Sequence, residues 1–217
     1  RQVRTPSGSS CADIPEIRLE LLRSREILRA WLPPAPAEVL DVGGGPGVYA
    51  TWLAGLGYRV HLVDPVALHV ERALAAEPAI AGPVPTGPVT TGPVTTGSVT
   101  TGSVTTGSVT AEVGDARRLD HAEASYDAVL LMGPLYHLTD RGDRVRALAE
   151  ARRVVRPGGV VVTAAISRYA SMLDHAALGR LGPSTTARIS TGLSTGRHDP
   201  TLGFTVAYLH TVDELRG

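Results

Sequence analysis

The glycine-rich run between Glu38 and Gly47 constrains the fold of this 217-residue chain more than any other segment. An apolar stretch that favours a strand ends there in a loop with four glycines, and a helical pattern begins directly after it. Gly43, Gly45 and Gly47 allow the backbone to turn sharply and to approach a ligand with no Cβ between them. The start of the helix presents free N–H groups and its positive dipole end to the same place. The run therefore predicts a strand–loop–helix unit that holds a nucleotide-like ligand.

An acidic residue follows the second strand pattern. The run from Tyr58 to Val63 favours a buried strand, and Asp64 comes directly after it. Ligands of open parallel sheets bind at the carboxyl ends of the strands, where an acid on the second strand accepts hydrogen bonds from a ribose diol. Asp64 is therefore a candidate ribose-binding residue. The alternative is a helix N-cap ahead of Pro65, a role that suits the same residue type.

The spacing of the glycines distinguishes two kinds of ligand. A dinucleotide site requires G-x-G-x-x-G, in which the third glycine packs helix on strand. This chain has G-x-G-x-G, and Asp41 lies two residues before the first glycine. With this spacing the loop resembles motif I of the class I S-adenosylmethionine-dependent methyltransferases. The resemblance implies an enzyme that uses S-adenosylmethionine as its cofactor and transfers the methyl group to an acceptor.

Three further segments resemble the same family, in the same order along the chain. Val113–Ala116 is similar to the end of its third strand, and Tyr126–Met132 is similar to its fourth strand. Ala147–Val162 is similar to its helix, Pro-Gly-Gly turn and fifth strand, and Gly133–Leu138 is typical of small bacterial methyltransferase-domain proteins. The resemblance covers about residues 15 to 170. It implies an α/β fold with a Rossmann-like, doubly wound parallel sheet.

The resemblance also implies a set of cofactor-binding residues. The methionine part of the cofactor would lie over the glycine loop, the ribose at Asp64 and the adenine amino group at Asp115. The alternative for Asp115 is a turn aspartate, and Asp41 is expected to orient the loop rather than to contact the cofactor. The implied set is Asp41, Gly43, Gly45, Gly47, Asp64, Gly114, Asp115, Ala116, Met132, Gly133 and Pro134.

One residue is a candidate for acid–base chemistry. Methyl transfer needs an acceptor atom in line with the methyl carbon at about 3 Å, and it needs a base only if the acceptor must lose a proton. His137, just past the fourth strand, is the candidate catalytic base, and the alternative is that its ring is structural or only lines the pocket. No histidine spacing indicates a metal site. We expect a small-molecule acceptor, whose identity the sequence does not give.

The composition excludes other classes of partner. With 21 basic and 21 acidic side chains, the chain lacks the charge of a general nucleic-acid or membrane-surface binder. Its single cysteine, Cys11, cannot form an internal disulfide, which fits a reducing compartment. No apolar run approaches a membrane-spanning length, and the N-terminus has no signal-peptide pattern. We therefore expect a cytoplasmic protein with no nucleic-acid or membrane partner.

A tandem repeat interrupts the alternation of strands and helices between residues 82 and 110. Its units have five residues and begin with glycine, as in Gly97-Ser-Val-Thr-Thr. One valine per unit buries too little apolar surface to offset the entropy of ordering, so we expect a disordered loop, with a binding or β-forming segment as the alternative. We expect a disordered N-terminus at residues 1–14 and a single methyltransferase domain at 15–217 around that loop.

The pattern of apolar residues predicts the other helices and strands, and it predicts a sheet without the last two strands of the family. Helices are predicted at 17–31, 48–56, 66–76, 142–155 and 167–178, strands at 38–42, 58–63, 126–132 and 159–166, and a loop at 179–203. Thr211–Glu214 predicts a capping box. The family continues into two more strands, which we expect this chain to lack, so that Val160–Ile166 would be an apolar edge strand that pairs with a second copy.

Two alternatives to an active methyltransferase follow from these features. An inactive or truncated cofactor-binding remnant would account for the missing strands and the expanded repeat. A NAD-dependent oxidoreductase would also use a glycine loop, but the glycine spacing and the Pro-Gly-Gly turn disfavour it.

Overall fold

The computed structural model of the chain describes residues 15–76 and 107–216. Two compact units are present, residues 1–33 and 34–217. The described part of the first unit is one helix, α1, at Pro15–Trp31. Pro33 and Pro34 follow its end, and neither can continue a helix without the loss of a backbone hydrogen bond. The predicted first helix is therefore confirmed.

The second unit is built on a five-stranded parallel sheet. The strands are β1 (Glu38–Val42), β2 (Arg59–Asp64), β3 (Ser108–Val113), β4 (Tyr126–Leu131) and β5 (Val155–Thr163). Their order in the sheet is β3-β2-β1-β4-β5, and all neighbours are parallel. The order of strands reverses between β1 and β4, which is the point where open α/β sheets bind their ligands. The predicted Rossmann-like fold is confirmed.

Helices and one small ribbon make up the rest of the described part of this unit. They are α2 (Val48–Ala54), α3 (Ala67–Ala75), α4 (Pro134–His137), α5 (Arg141–Val154), α6 (Ala170–Ala177), α7 (Pro183–Thr195), α8 (Val212–Arg216), a 3-10 helix at Pro200–Leu202 and the antiparallel pair β6 (Arg197–His198) and β7 (Ala207–Tyr208). Strands β1, β2 and β4 each bury four residues, because helices cover both faces of a parallel sheet. On one face, Leu40, Val129 and Leu131 pack against Ala147 and Val154 of α5. None of the described helices has the length and apolarity needed to cross a bilayer.

The predicted loop at 179–203 is wrong, because it contains α7. Serine and threonine dominate this helix and have modest helix propensity, which is why the composition favoured a loop. Local signals at its two ends nevertheless define it. Pro183 occupies the first turn, where its missing N–H costs nothing, and Gly196 ends the helix with a left-handed φ of 76°. The Ile189 side chain is buried on the inner side of the helix.

The last repeat unit is part of the sheet. Ser108, Val109 and Thr110 form the first half of β3, so a loop over the whole of 82–110 is wrong at its end. The rest of the repeat lies outside the described residues, as does the predicted disordered N-terminus. Gly107 precedes the strand, and its N–H donates to the Ala54 carbonyl at 3.0 Å. A Cβ at this position would lie only 2.0 Å from the backbone oxygen of Tyr58, so only glycine fits there.

The edge strand β5 differs from its prediction in two ways. The Pro-Gly-Gly segment is a bulge within β5 rather than a turn before it, since Tyr126 pairs with Val155 and Ala128 pairs with Val160. Beyond the strand, the His210 N–H donates to the Ile166 carbonyl at 2.8 Å. The carboxyl end of the predicted edge is therefore covered. Within the described part of the chain, Val160–Thr163 pairs with β4 alone.

The predicted capping box is confirmed at the start of α8. The Glu214 N–H donates to Thr211 Oγ1 at 3.2 Å, and the Thr211 N–H donates to Glu214 Oε2 at 2.9 Å. Arg168 donates to the same carboxylate at 2.6 Å. Hydrogen bonds from Thr211, Tyr208 and Arg168 lower the pKa of Glu214 to about 2 although burial opposes them. The residues after β7 are thus tied to the segment that follows β5.

Candidate functional site

A cavity of about 540 Å³ lies at the carboxyl ends of β1 to β4. This volume is within the range of small-molecule sites, which is about 300–1,000 Å³. The lining residues are Gly43, Gly45, Val63, Asp64, Pro65, Val66, His69, Gly114, Asp115, Ala116, Arg117, Gly133, Pro134, Tyr136, His137 and Leu138. The cavity therefore brings together most of the residues that the sequence predicted for the cofactor.

The glycine loop adopts a backbone that other residues rarely adopt. Gly43 and Gly45 have φ values of 68° and 57°. A Cβ at Gly43 would lie 2.8 Å from Pro134 Cγ, whereas a Cβ at Gly45 would meet no atom within 4 Å. The loop thus lies against Pro134 at Gly43, and there is open space beside Gly45. Open space beside a left-handed glycine fits the close approach of a ligand.

Three of the predicted residues, Gly47, Met132 and Asp41, do not line the cavity. Gly47 has a φ of 86°, and a Cβ there would lie 2.9 Å from Ala73 Cβ. Gly47 therefore lets α2 approach α3 closely. Met132 follows the end of β4 but is also absent from the lining of the cavity. Its neighbours Gly133 and Pro134 line the cavity instead.

The Asp64 carboxylate is the polar centre of the site. It is 5% exposed and accepts hydrogen bonds from Gly45 N and Val66 N, each at 2.9 Å. His69 Nδ1 lies 3.0 Å from Asp64 Oδ1. A carboxylate has about four acceptor positions, so one position on Oδ2 has no partner among the described residues. The N-cap of α3 is Val66, which has no side-chain cap, so the interpretation of Asp64 as the helix N-cap is wrong. Its bond to Val66 N instead closes a turn ahead of the helix.

Asp41 lies beneath the loop rather than in the cavity wall. It is fully buried, and among the described residues neither carboxylate oxygen has a hydrogen-bond partner. Burial, with a smaller effect of the Asp64 charge, raises its pKa to about 7. A Cβ at Gly44 would lie 2.6 Å from Asp41 Oδ2. Asp41 thus packs directly against the turn of the loop, where a change in its size or charge would displace the loop.

Asp115 lines the cavity just after β3 and forms an ion pair with Arg117 that no sequence pattern indicated. Its Oδ1 accepts from the backbone N and from Nε of Arg117, both at 2.9 Å. Arg117 also donates to Asp143 of α5 at 3.0 Å. The side-chain hydrogen bond from Arg117 lowers the pKa of Asp115. The bond to the backbone N two residues on is the Asx-type turn of the alternative interpretation, and Arg117 itself lines the cavity.

The rings of Tyr136 and His137 line the cavity, and the ring of Phe204 lies next to them. The rings of Tyr136 and His137 are 4.7 Å apart, and Phe204 stacks on His137 at 6.5 Å. Burial lowers the pKa of His137, although the Asp64 charge partly opposes this effect, and the balance favours the neutral imidazole. A neutral imidazole can accept a proton. No sequence pattern indicates a role for Phe204, because it lies in an irregular segment far along the chain from Tyr136.

Comparison with known proteins identifies the family. Residues 40–163, more than half of the chain, match the family model of the methyltransferase domain. The fold and the match together show that the chain belongs to the class I S-adenosylmethionine-dependent methyltransferases, whose cofactor is S-adenosylmethionine. This assignment decides against the oxidoreductase interpretation.

Solved structures share the same fold at low identity. A methyltransferase from Methanosarcina mazei, described as S-adenosylmethionine-dependent, is 22% identical, with 87% of this chain and 79% of that chain covered and a TM-score of 0.60. The PH0226 protein from Pyrococcus horikoshii is 15% identical, with coverages of 95% and 82% and a TM-score of 0.63. A possible histamine N-methyltransferase from Thermotoga maritima is 16% identical, with coverages of 90% and 67% and a TM-score of 0.53. These likenesses show the fold alone.

Proposed function

We propose that this chain transfers the methyl group of S-adenosylmethionine to a small-molecule acceptor that binds beside Tyr136, His137 and Phe204. The observation that carries the proposal is the single cavity shared by the glycine loop, Asp64 and Asp115. Its walls provide a backbone surface open to close approach, an acceptor for a ribose hydroxyl and a second acid for an adenine amino group. This set of groups suits the chemical parts of the cofactor.

The residues of the cavity would hold and orient the two reactants. Gly45 leaves room for the methionine part of the cofactor, and the open position on Asp64 Oδ2 would accept from the ribose. The bound cofactor supplies an activated methyl group. The rings of Tyr136, His137 and Phe204 would orient the acceptor, and correct positioning supplies much of the rate in such a transfer.

His137 would act as a base only for an acceptor that must lose a proton. His137→Gln keeps much of the size of the ring and removes a proton acceptor. A role as base predicts a fall in turnover of about 10²–10⁴ with unchanged affinity for S-adenosylhomocysteine. A role in lining the pocket predicts a small change in turnover. Tyr136→Phe is the control, because it alters the neighbouring ring without the removal of an imidazole.

The test of the proposed function compares ligands and then measures turnover. Calorimetry should show tighter binding of S-adenosylhomocysteine than of NAD, and equal or tighter binding of NAD would contradict the proposal. A panel of small amines, phenols and carboxylic acids is then screened for acceptor-dependent formation of S-adenosylhomocysteine. Tight cofactor binding with no turnover on any acceptor would favour the inactive alternative.

A further inference from the structure

A second group of polar side chains lies away from the cofactor cavity. His61 is in β2, Glu112 is in β3, and His121 is in the segment between β3 and β4. One ligand atom from each of the three lies within 4.8 Å of those of the other two. None of them lines the cavity described above. This group, the His61–Glu112–His121 cluster, has no part in the proposed methyl transfer.

The strand register explains why two of these residues meet. His61 pairs with Thr110, and Val63 pairs with Glu112. Side chains two residues apart on a strand point to the same face, so Thr110 and Glu112 lie on the face of the sheet that carries His61. His121 approaches this face from the loop, where its ring contacts the edge of the His61 ring at a centroid distance of 5.0 Å.

The distances within the cluster suit a metal ion. Glu112 Oε1 lies 3.6 Å from His61 Nε2 and 3.3 Å from His121 Nε2. Ligands about 2.0–2.1 Å from a tetrahedral zinc ion are separated by roughly 3.3 Å. Both Nε2 atoms are buried, and neither has a hydrogen-bond partner of good geometry among the described residues. A buried nitrogen without a partner costs about 1–3 kcal/mol, and a metal ion between the three groups would remove that cost.

The other nitrogen of each histidine is held by a hydroxyl group. His61 Nδ1 lies 2.7 Å from Thr110 Oγ1, and His121 Nδ1 lies 3.2 Å from Tyr126 Oη. A hydroxyl can accept a hydrogen bond, so each Nδ1 can carry the proton and leave the lone pair of Nε2 free. This is the arrangement by which proteins fix metal-binding histidines.

We propose that His61, Glu112 and His121 bind one divalent transition-metal ion, with zinc as the ion that two imidazoles and a carboxylate suit best. The Glu112 side chain is 46% exposed, which leaves a further coordination position open to water. The ligands join β2, β3 and the segment before β4. Because β3 pairs only with β2 among the described strands, the ion would fasten an edge strand to the sheet.

The test uses the untagged full chain after treatment with a chelator. Calorimetry should show one zinc ion per chain, cobalt should give the visible absorption of a bound ion, and magnesium should not bind, because imidazole does not suit it. Glu112→Gln and His121→Ala should each weaken zinc binding by more than about tenfold. Zinc should raise the midpoint of thermal unfolding of the wild type and should have a much smaller effect on these variants.

Glu123→Gln is the matched control, because Glu123 is an exposed carboxylate on the same segment as His121. It should bind zinc like the wild type. Circular dichroism verifies that each variant is folded, and Glu112→Gln preserves the shape of an exposed side chain. A wild type that binds less than one zinc ion per chain overturns the proposal. Equal zinc affinity in Glu112→Gln and Glu123→Gln also overturns it.

Discussion

The backbone N–H of Gly45 donates to Asp64 Oδ2 at 2.9 Å. This bond joins the loop after β1 to the tip of β2, so two features that appear separate in the sequence form one unit. A ligand hydroxyl bound to Asp64 would therefore share this carboxylate with the backbone N–H of Gly45. Changes at Asp64 should affect the shape of the loop as well as the direct contact with the ligand.

The first prediction concerns this carboxylate. Asp64→Ala should weaken the binding of S-adenosylhomocysteine by about 1.5–3 kcal/mol, the worth of a hydrogen bond to a charged group. Calorimetry on the wild type and the variant measures the difference. Asp174→Ala is the control, because Asp174 is an exposed acid of α6 outside the cavity lining. Unchanged affinity in Asp64→Ala would rule out the assignment of the ribose to this residue.

The second prediction concerns the pH dependence of stability. Burial raises the pKa of Asp41 to about 7, whereas an unfolded aspartate has a pKa of about 3.9. Between these values the folded state retains a proton that the unfolded state releases. This contribution to the free energy of unfolding is therefore complete below about pH 4 and is lost as the pH rises towards 7. Its full size is a few kcal/mol, at 1.36 kcal/mol per unit of pKa.

Asp41→Asn tests this directly, because the amide cannot titrate. Urea unfolding at several pH values from 4 to 8 should show that the variant gains stability relative to the wild type as the pH rises. The exposed acids contribute equally in both proteins, so their effect cancels in the difference. Parallel pH profiles for the two proteins would show that Asp41 does not titrate in this range.

The third prediction concerns the repeat. Deletion of residues 83–106 should change the free energy of unfolding by less than about 1 kcal/mol, since loop length affects closure entropy only logarithmically. Deletion of 83–109 should destabilise the chain by several times more, because it removes Ser108 and Val109, which pair with Arg59 and Val60. Urea unfolding compares the two variants. Equal stability would show that the pairing of β3 with β2 contributes little.

The fourth prediction concerns self-association, which we propose for Val160–Thr163, a stretch of β5 that pairs only with β4 within the described residues. The wild type should form dimers or larger species in light scattering, because an apolar edge can pair with a second copy. Thr163→Lys places a charge on that strand and should shift the protein towards monomer. Thr186→Lys, at an exposed position of α7, should not. A wild type that is a stable monomer would contradict the proposal.

Local signals made the centre of the site predictable. The left-handed glycines and the acid after β2 are encoded within short segments, and the structure places Gly43, Gly45 and Asp64 in one cavity. The role of Gly47 was less accessible, because it depends on Ala73 in a different helix. Phe204 approaches His137 only through the fold, and no spacing in the sequence brings these two residues together.

The same distinction applies elsewhere in the chain. Pro183 and Gly196 mark the two ends of α7. The serine and threonine content between them favours a loop, so composition alone does not predict this helix. His61 and Glu112 lie on neighbouring strands, and His121 lies on a loop, so their separation along the chain resembles no metal motif. Pairing across strands is set by register, which a single sequence does not display.

The close contact of Gly107 with Tyr58 limits which changes in repeat number the fold can accept. Tandem repeats in DNA lose and gain whole units when a polymerase slips. Wherever one five-residue unit is removed between Gly97 and Thr110, the residues that reach β2 still read Gly-Ser-Val-Thr-Ala. The glycine that alone fits beside the Tyr58 carbonyl is thus kept whenever a whole five-residue unit is lost. Populations can drift in repeat number while each descendant keeps the same first residues of β3.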